Sequence, residues 1–192
     1  MTALIILAAG ESSRMGQAKQ NLIYKGQTLL QRAVDTGLAS ACATVIVVLG
    51  ANSKLIQPIP ETATLYNKHW KDGMASSIKM AMLEIDKDAT FDKVIIMLCD
   101  QPFVSATLLD AMMDKQTQSG KPIVACAYKG TIGVPVLFDS VLFNELLQLQ
   151  GKEGAKKLLK DHSHDIAEIP FEQGSIDIDT PEDYERLCKL SD

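Results

Sequence analysis

The chain has 192 residues, 46% hydrophobic and 22% charged, with a formal net charge of −5. That length suits a single domain over residues 1–192, and the acidic balance argues against a general nucleic-acid binder, which needs a basic face. Four scattered cysteines form no CxxC pair, and neither a signal peptide nor a membrane-length apolar stretch is visible, so a cytoplasmic protein with no membrane or nucleic-acid partner is expected.

In chain order, residues 4–7 are an apolar run that reads as a buried strand. It breaks into a loop of small residues that runs from Ala8 to Lys19. Residues 28–41 have helical spacing, with Leu29, Leu30, Ala33, Val34 and Leu38 on one face. Residues 45–49 are β-branched and apolar, a second buried strand ending at Gly50. A short strand over 63–66, a helix over 76–85 and a strand over 94–98 follow, the last closing on Cys99-Asp100. Ser105 can cap a helix over 106–118 by accepting from its free N–H groups. Strands are predicted over 122–127 and 134–138, and helices over 140–149 and 154–159. Thr180 opens a last helix, where Pro181 fits the first turn and Glu182 and Asp183 complement the dipole.

Continuous apolar strands alternating with amphipathic helices imply an α/β fold, a three-layer α/β/α sandwich on a mostly parallel, Rossmann-like sheet. Ligands of such sheets bind outside the carboxyl ends of the strands. The Gly10 loop, Gly50 and Asp100 all sit at such ends, so their chemistry should converge.

The first loop carries two glycines and two fixed charges, Arg14 and Lys19. Small residues let backbone N–H groups approach a ligand, and the cations suit oxyanions. A nucleoside triphosphate fits both. Neither common phosphate loop matches: Gln17 follows Gly16 where a P-loop needs Lys, and Gly10-Glu11-Ser12 breaks GxGxxG. Asp100 offers hard oxygens for Mg²⁺, and is equally readable as a turn residue ahead of Pro102. Ser76 and Ser77 read either as caps or as ligand contacts, and Trp70 as packing or stacking. The run from Asp161 to Asp165 reads as a polar loop, and the methionines as core.

The string Leu7-Ala8-Ala9-Gly10-x-Ser12-x-Arg14-Met15-Gly16-x-x-Lys19 resembles the signature of the nucleotidyltransferases, and more closely the branch that modifies the molybdenum cofactor. Further matches are Asn67 with Trp70 and Gly73-Met74-Ala75-Ser76-Ser77, Cys99-Asp100-Gln101-Pro102, Gly133-x-Pro135, and the run from Asp177 to Tyr184. The resemblance is strongest to cytidylyltransferases of that branch, which carry two alanines where guanylyl-transferring cousins have glycine second. It implies Mg²⁺-dependent transfer of CMP from CTP to a molybdopterin-type phosphate, with release of pyrophosphate. It further implies Arg14 on the β/γ-phosphates, Lys19 on the α-phosphate and Asp100 as the third catalytic residue. Leu7, Ala8, Ala9, Gly10, Asn67, Gly73, Ser76 and Ser77 would contact the nucleotide (Asn67 alternatively the pterin). Asp100 with Asp177 or Asp179 would hold the metal, with Asp177 the first choice and Asp179 an alternative cap. A recipient molybdoenzyme or its chaperone is the implied partner. One segment departs from the pattern: Gly-Asp-x-Gly-Ala-Arg reads here Gly151-Lys152-Glu153-Gly154-Ala155-Lys156, at a position expected to face the second substrate. The rival readings are a GTP-using or other phosphate-acceptor transferase, and a non-catalytic module that delivers nucleotide or cofactor. The binding module would have little use for paired metal carboxylates.

Overall fold

The computed structural model describes residues 1–57, 59–176 and 178–190. Strand β1 (Thr2–Ala8) lies mid-sheet. After it come the short hairpin strands β2 (Ile23–Tyr24) and β3 (Gln27–Thr28), helix α1 (Leu29–Leu38) and strand β4 (Thr44–Leu49). Strand β5 (Ala63–Tyr66), helix α2 (Met74–Ile85) and strand β6 (Lys93–Leu98) follow. Helix α3 (Ala106–Ser119) leads to strands β7 (Ile123–Tyr128) and β8 (Thr131–Asp139). The chain closes with α4 (Phe143–Gln148), α5 (Ala155–Asp161), β9 (Ile166–Pro170) and α6 (Pro181–Lys189).

Seven strands form one sheet in the order β5-β4-β1-β6-β8-β7-β9. Only the pairings of β8, with β6 and with β7, are antiparallel. Residues alternate faces along a strand, and β1 shows what this does. Ala3, Ile5 and Leu7 join the core packed by α2, α4 and α5, while Leu4, Ile6 and Ala8 join the core packed by α1 and α3. Ile5 pairs with Ile46 on one side and Ile96 on the other, and all three are almost fully buried. Each such burial contributes roughly 1.5–3 kcal/mol relative to exposure. The three-layer α/β/α sandwich is therefore the observed architecture.

From β1 the chain passes through α1 on one face to β4, then through α2 on the other face to β6. With β4 and then β5 laid on one side of β1 and β6 on the other, the strand order reverses beside β1, which opens a crevice at its carboxyl end.

Element boundaries differ from the sequence expectation for local reasons. The helix predicted over 28–41 ends at Leu38, with Thr28 as its cap. Beyond it the Ala41 N–H goes to Asp110 and the Cys42 N–H to the Ser40 hydroxyl, so the helical ladder has no donors left there. The helix predicted over 140–149 is split, because Asp139 caps a separate turn at Ser140–Leu142. Strand β9 and the β2–β3 hairpin are structural additions. The hairpin turns at Lys25 and Gly26, both at positive φ, the geometry that suits a two-residue loop.

Candidate active site

A cavity of about 440 Å³ opens at the carboxyl end of β1. Leu7, Ala8, Ala9 and Gly10 line it, as do Arg14, Lys19 and Asp100. The carbonyls of the loop are engaged from behind. Gln20 Nε2 donates to the Ala8 oxygen at 2.6 Å and to that of Gly10 at 3.4 Å. The Ala51 N–H donates to the Ala9 oxygen at 3.2 Å. Asn52 Nδ2 donates to the Gly10 and Glu11 oxygens, each at 3.3 Å. Four successive carbonyls are thus neutralised by donors. Among the described residues, the N–H groups of Gly10, Glu11, Ser12 and Ser13 donate to nothing in the protein. Successive free N–H groups make an anion cradle. Gln20 does this at a cost. It is 2% exposed, and its Oε1 has no donor among the described residues; such an orphan costs about 1–3 kcal/mol.

The far end of the loop is pinned by Ser12, whose Oγ accepts the Lys19 N–H at 3.2 Å and whose carbonyl accepts the Met15 N–H at 3.0 Å. Met15 is buried with Leu22, Tyr24, Leu29, Ile178 and Leu187 in a third small core. This core fastens the start of α6 beneath the loop. Burying Ile178 leaves its neighbour Asp179 at the cavity. Thr180 caps α6, and the Asp179 and Thr180 N–H groups both go to the Asp183 carboxylate. The alternative expectation, Asp179 as the cap, is therefore corrected: its side chain belongs to the charge cluster.

In that cluster Lys19 Nζ donates to Asp100 Oδ2 at 3.2 Å and to Asp179 Oδ1 at 2.5 Å. Arg14 Nη2 donates to Asp179 Oδ2 at 2.6 Å. Asp100 is held at the end of β6 by its neighbour Gln101, which accepts the Leu98 N–H and donates to the Val134 carbonyl on β8. Burial pushes the Asp100 carboxyl up, and the Lys19 ammonium only partly offsets it. Burial works against the Lys19 charge too, but Asp179 and Asp100 outweigh it and raise its pKa. Asp179 is lowered, chiefly by Lys19.

Two carboxylates converge on one ammonium, and this donor set fits a hard divalent cation. Among the described residues no group of three or more metal-ligating side chains forms a site. Mg²⁺ tolerates that, because it keeps several waters and uses one or two carboxylates plus substrate phosphates. Asp177, the other expected ligand, lies outside the described residues.

A second wall of the cavity carries Trp70, Lys71, Gly73, Met74, Ser77 and Lys152. Asn67 and Ser76, expected at the nucleotide, do not line it. The Asn67 carboxamide is 3% exposed and saturated: it donates to the Ser76 and Ser77 hydroxyls at 2.8 and 2.9 Å and accepts the His69 N–H at 2.8 Å. Ser76 Oγ donates back to the Gly73 and His69 carbonyls. These two residues shape the loop from behind. Gly50 backs the wall: a Cβ there would lie 2.5 Å from the Ala9 oxygen and 2.8 Å from the Trp70 Cβ. Sequence reasoning missed Gln20, Asn52 and Lys71. The only signal for the two amides was a polar side chain one residue after the loop lysine, and another two residues after Gly50.

The sequence profile of the MobA-like NTP transferase domain matches residues 4–166. Purine catabolism protein PucB of Bacillus subtilis (strain 168) is 29% identical, covering 95% of this chain and 94% of its own. Nicotine blue oxidoreductase of Paenarthrobacter nicotinovorans is also 29% identical, with the same two coverages, 95% and 94%. Molybdenum cofactor cytidylyltransferase of Escherichia coli (strain K12) is 23% identical, covering 94% and 92%. Among solved structures, Rv0371c of Mycobacterium tuberculosis H37Rv superposes with a TM-score of 0.86 at 28% identity, over 98% of this chain and 97% of that one. A complex of Rv0371c with manganese superposes with a TM-score of 0.81 at 26% identity, over 98% of each chain.

Proposed function

We propose, from the premise that this chain belongs to the MobA-like NTP transferase domain family, that it transfers CMP from CTP to the phosphate of a molybdenum-bearing molybdopterin. Residues 1–192 act as one nucleotidyltransferase domain in this reading. The observation that carries it is the junction of the free N–H cradle with Arg14, Lys19, Asp100 and Asp179 in one cavity. A delivery module would need the cradle and the cations but not the carboxylate pair.

An acceptor phosphate oxygen attacks the α-phosphorus, the bond to the β-phosphate oxygen breaks, and pyrophosphate leaves. The nucleophile is already ionised, so no side chain must remove a proton. The cradle from Gly10 to Ser13 receives phosphate oxygens. Arg14 exchanges Asp179 for the β/γ-phosphates, and its 69% side-chain exposure leaves it room to do so. Lys19 is 13% exposed and already aimed, so it meets charge developing at the α-phosphate without reorganising. Asp100 and Asp179 are the described residues that would hold Mg²⁺, which when bound supplies further positive charge to the phosphates. The Ala8-Ala9 pair supports CTP over GTP.

A pyrophosphate-release panel tests this, with four triphosphates, each with and without molybdenum cofactor. Release is expected with CTP and cofactor together. Release with GTP and cofactor in place of CTP would move the chain to another branch of the family. No release under any condition would remove the catalytic reading.

A further inference from the structure

Lys152 differs from the other cations of the cavity. Arg14 and Lys19 are both held by Asp179, and Lys71 lies 5.4 Å from the centroid of the Trp70 ring. Lys152 is exposed on the same cavity and has no carboxylate or ring partner among the described residues. Its backbone, by contrast, is tightly fixed. The Gly151 carbonyl accepts the Ala75 N–H at 3.2 Å. A Cβ on Gly73 would lie 2.2 Å from that carbonyl oxygen and 2.8 Å from the Lys152 nitrogen. Gly154 abuts Met74 so closely that a Cβ there would be 2.6 Å from the sulfur. The connection between α4 and α5 is thus clamped to the start of α2, and it presents one uncompensated charge to the cavity.

A transferase must bring two anionic substrates together. The triphosphate has the cradle, Arg14 and Lys19 on the β1 side. Lys152 stands on the other wall, on a segment fixed to Gly73 and Ala75. We infer that Lys152 is the receptor for an anionic group of the acceptor, a phosphate monoester or a group of like charge, and that it sets specificity for the second substrate. The inference rests on the transferase reading. A lysine suits the role because its ammonium is a compact charge with three rotatable donors, which meets a terminal phosphate from several directions.

Two measurements test it. In the first, Lys152→Glu and Lys152→Arg are assayed for pyrophosphate release with CTP and molybdenum cofactor. The expected result is a rise of about tenfold or more in KM for the cofactor in Lys152→Glu, as attraction becomes repulsion, with KM for CTP almost unchanged and Lys152→Arg near wild type. A matching rise in KM for CTP, or no change in either, overturns the inference. In the second, the fluorescence of Trp70, the one tryptophan of the chain, is titrated with inorganic phosphate. A CTP analogue with a methylene between its α- and β-phosphorus atoms saturates the cradle throughout. Phosphate should saturate wild type and bind Lys152→Glu at least about tenfold more weakly. Equal binding by the two, or no response in wild type, overturns the inference whatever the acceptor is. If wild type releases no pyrophosphate, the transferase reading fails and the phosphate titration still decides Lys152. Unfolding midpoints should match across the variants, since Lys152 is exposed.

Discussion

The two walls of the cavity are built on opposite principles. On the β1 side, carbonyls are tied from behind by Gln20, Ala51 and Asn52, and the cations Arg14 and Lys19 are already paired with carboxylates. On the Gly73 side, backbone lies directly on backbone, and Lys152 has no carboxylate partner among the described residues. The first wall is preorganised by charge and hydrogen bonds, so its side chains are poised for chemistry. The second is preorganised by close packing, and its exposed lysine lacks a carboxylate partner among the described residues. Changes to the first wall should cost rate, and changes to the second should cost affinity or stability.

The largest effect is expected at Asp100, which lies two residues beyond β6 and pairs with Lys19. Asp100→Ala should abolish turnover while the far-ultraviolet circular dichroism spectrum stays native. Full activity would overturn the proposed metal role of Asp100. Next comes Lys19→Ala, which should lower kcat by about two to three powers of ten, the usual loss of one preorganised charge. Isothermal titration should show a much smaller loss of nucleotide affinity. If affinity falls and kcat does not, Lys19 is a binding residue only and the contrast between the walls weakens.

Gly73→Ala probes the second wall by packing alone. Gly73 has φ of +102° and no room for a Cβ against the Gly151 carbonyl. The strained backbone costs roughly 1–3 kcal/mol, and the clash adds to it because a carbonyl cannot rotate aside as a side chain can. Urea unfolding should show the loss; an unchanged midpoint would mean that the α4–α5 connection yields freely.

The smallest effect concerns pH. The Asp179 pKa is lowered, chiefly by Lys19, so its folded carboxylate is favoured. Its stabilising contribution is present above the ordinary aspartate range and is lost as pH falls through the lowered value. Asp100 acts in the opposite sense, since its raised pKa reflects a penalty on the charged form that relaxes on acidification. Comparing urea midpoints of wild type and Asp179→Asn across acidic pH isolates the first contribution. Wild type should lose its advantage over the variant as the pH drops, and a constant difference would show that the ion pair does not couple to folding.

Much of the first wall was legible in the order of residues. An apolar run that stops at Ala8-Ala9-Gly10, followed by Arg14 and Lys19, already specifies a strand and an open loop that carries two cations. The alternation of β1 between two cores follows from the period of a strand, and Thr180 and Asp183 announce the cap of α6 within four residues. Such features depend on near neighbours, whose geometry is fixed by backbone sterics and hydrogen-bond reach. The pairing of Lys19 with Asp179 spans 160 positions, and only the small core around Met15, Ile178 and Leu187 brings the two together. Asn67 read as a ligand contact until folding wrapped Ser76, Ser77 and His69 around it. Nor could the sequence show that Gly73 packs against the Gly151 backbone and that Lys152 lines the same cavity. Contacts of this kind depend on how layers stack, and a linear pattern of residue types carries no measure of that distance.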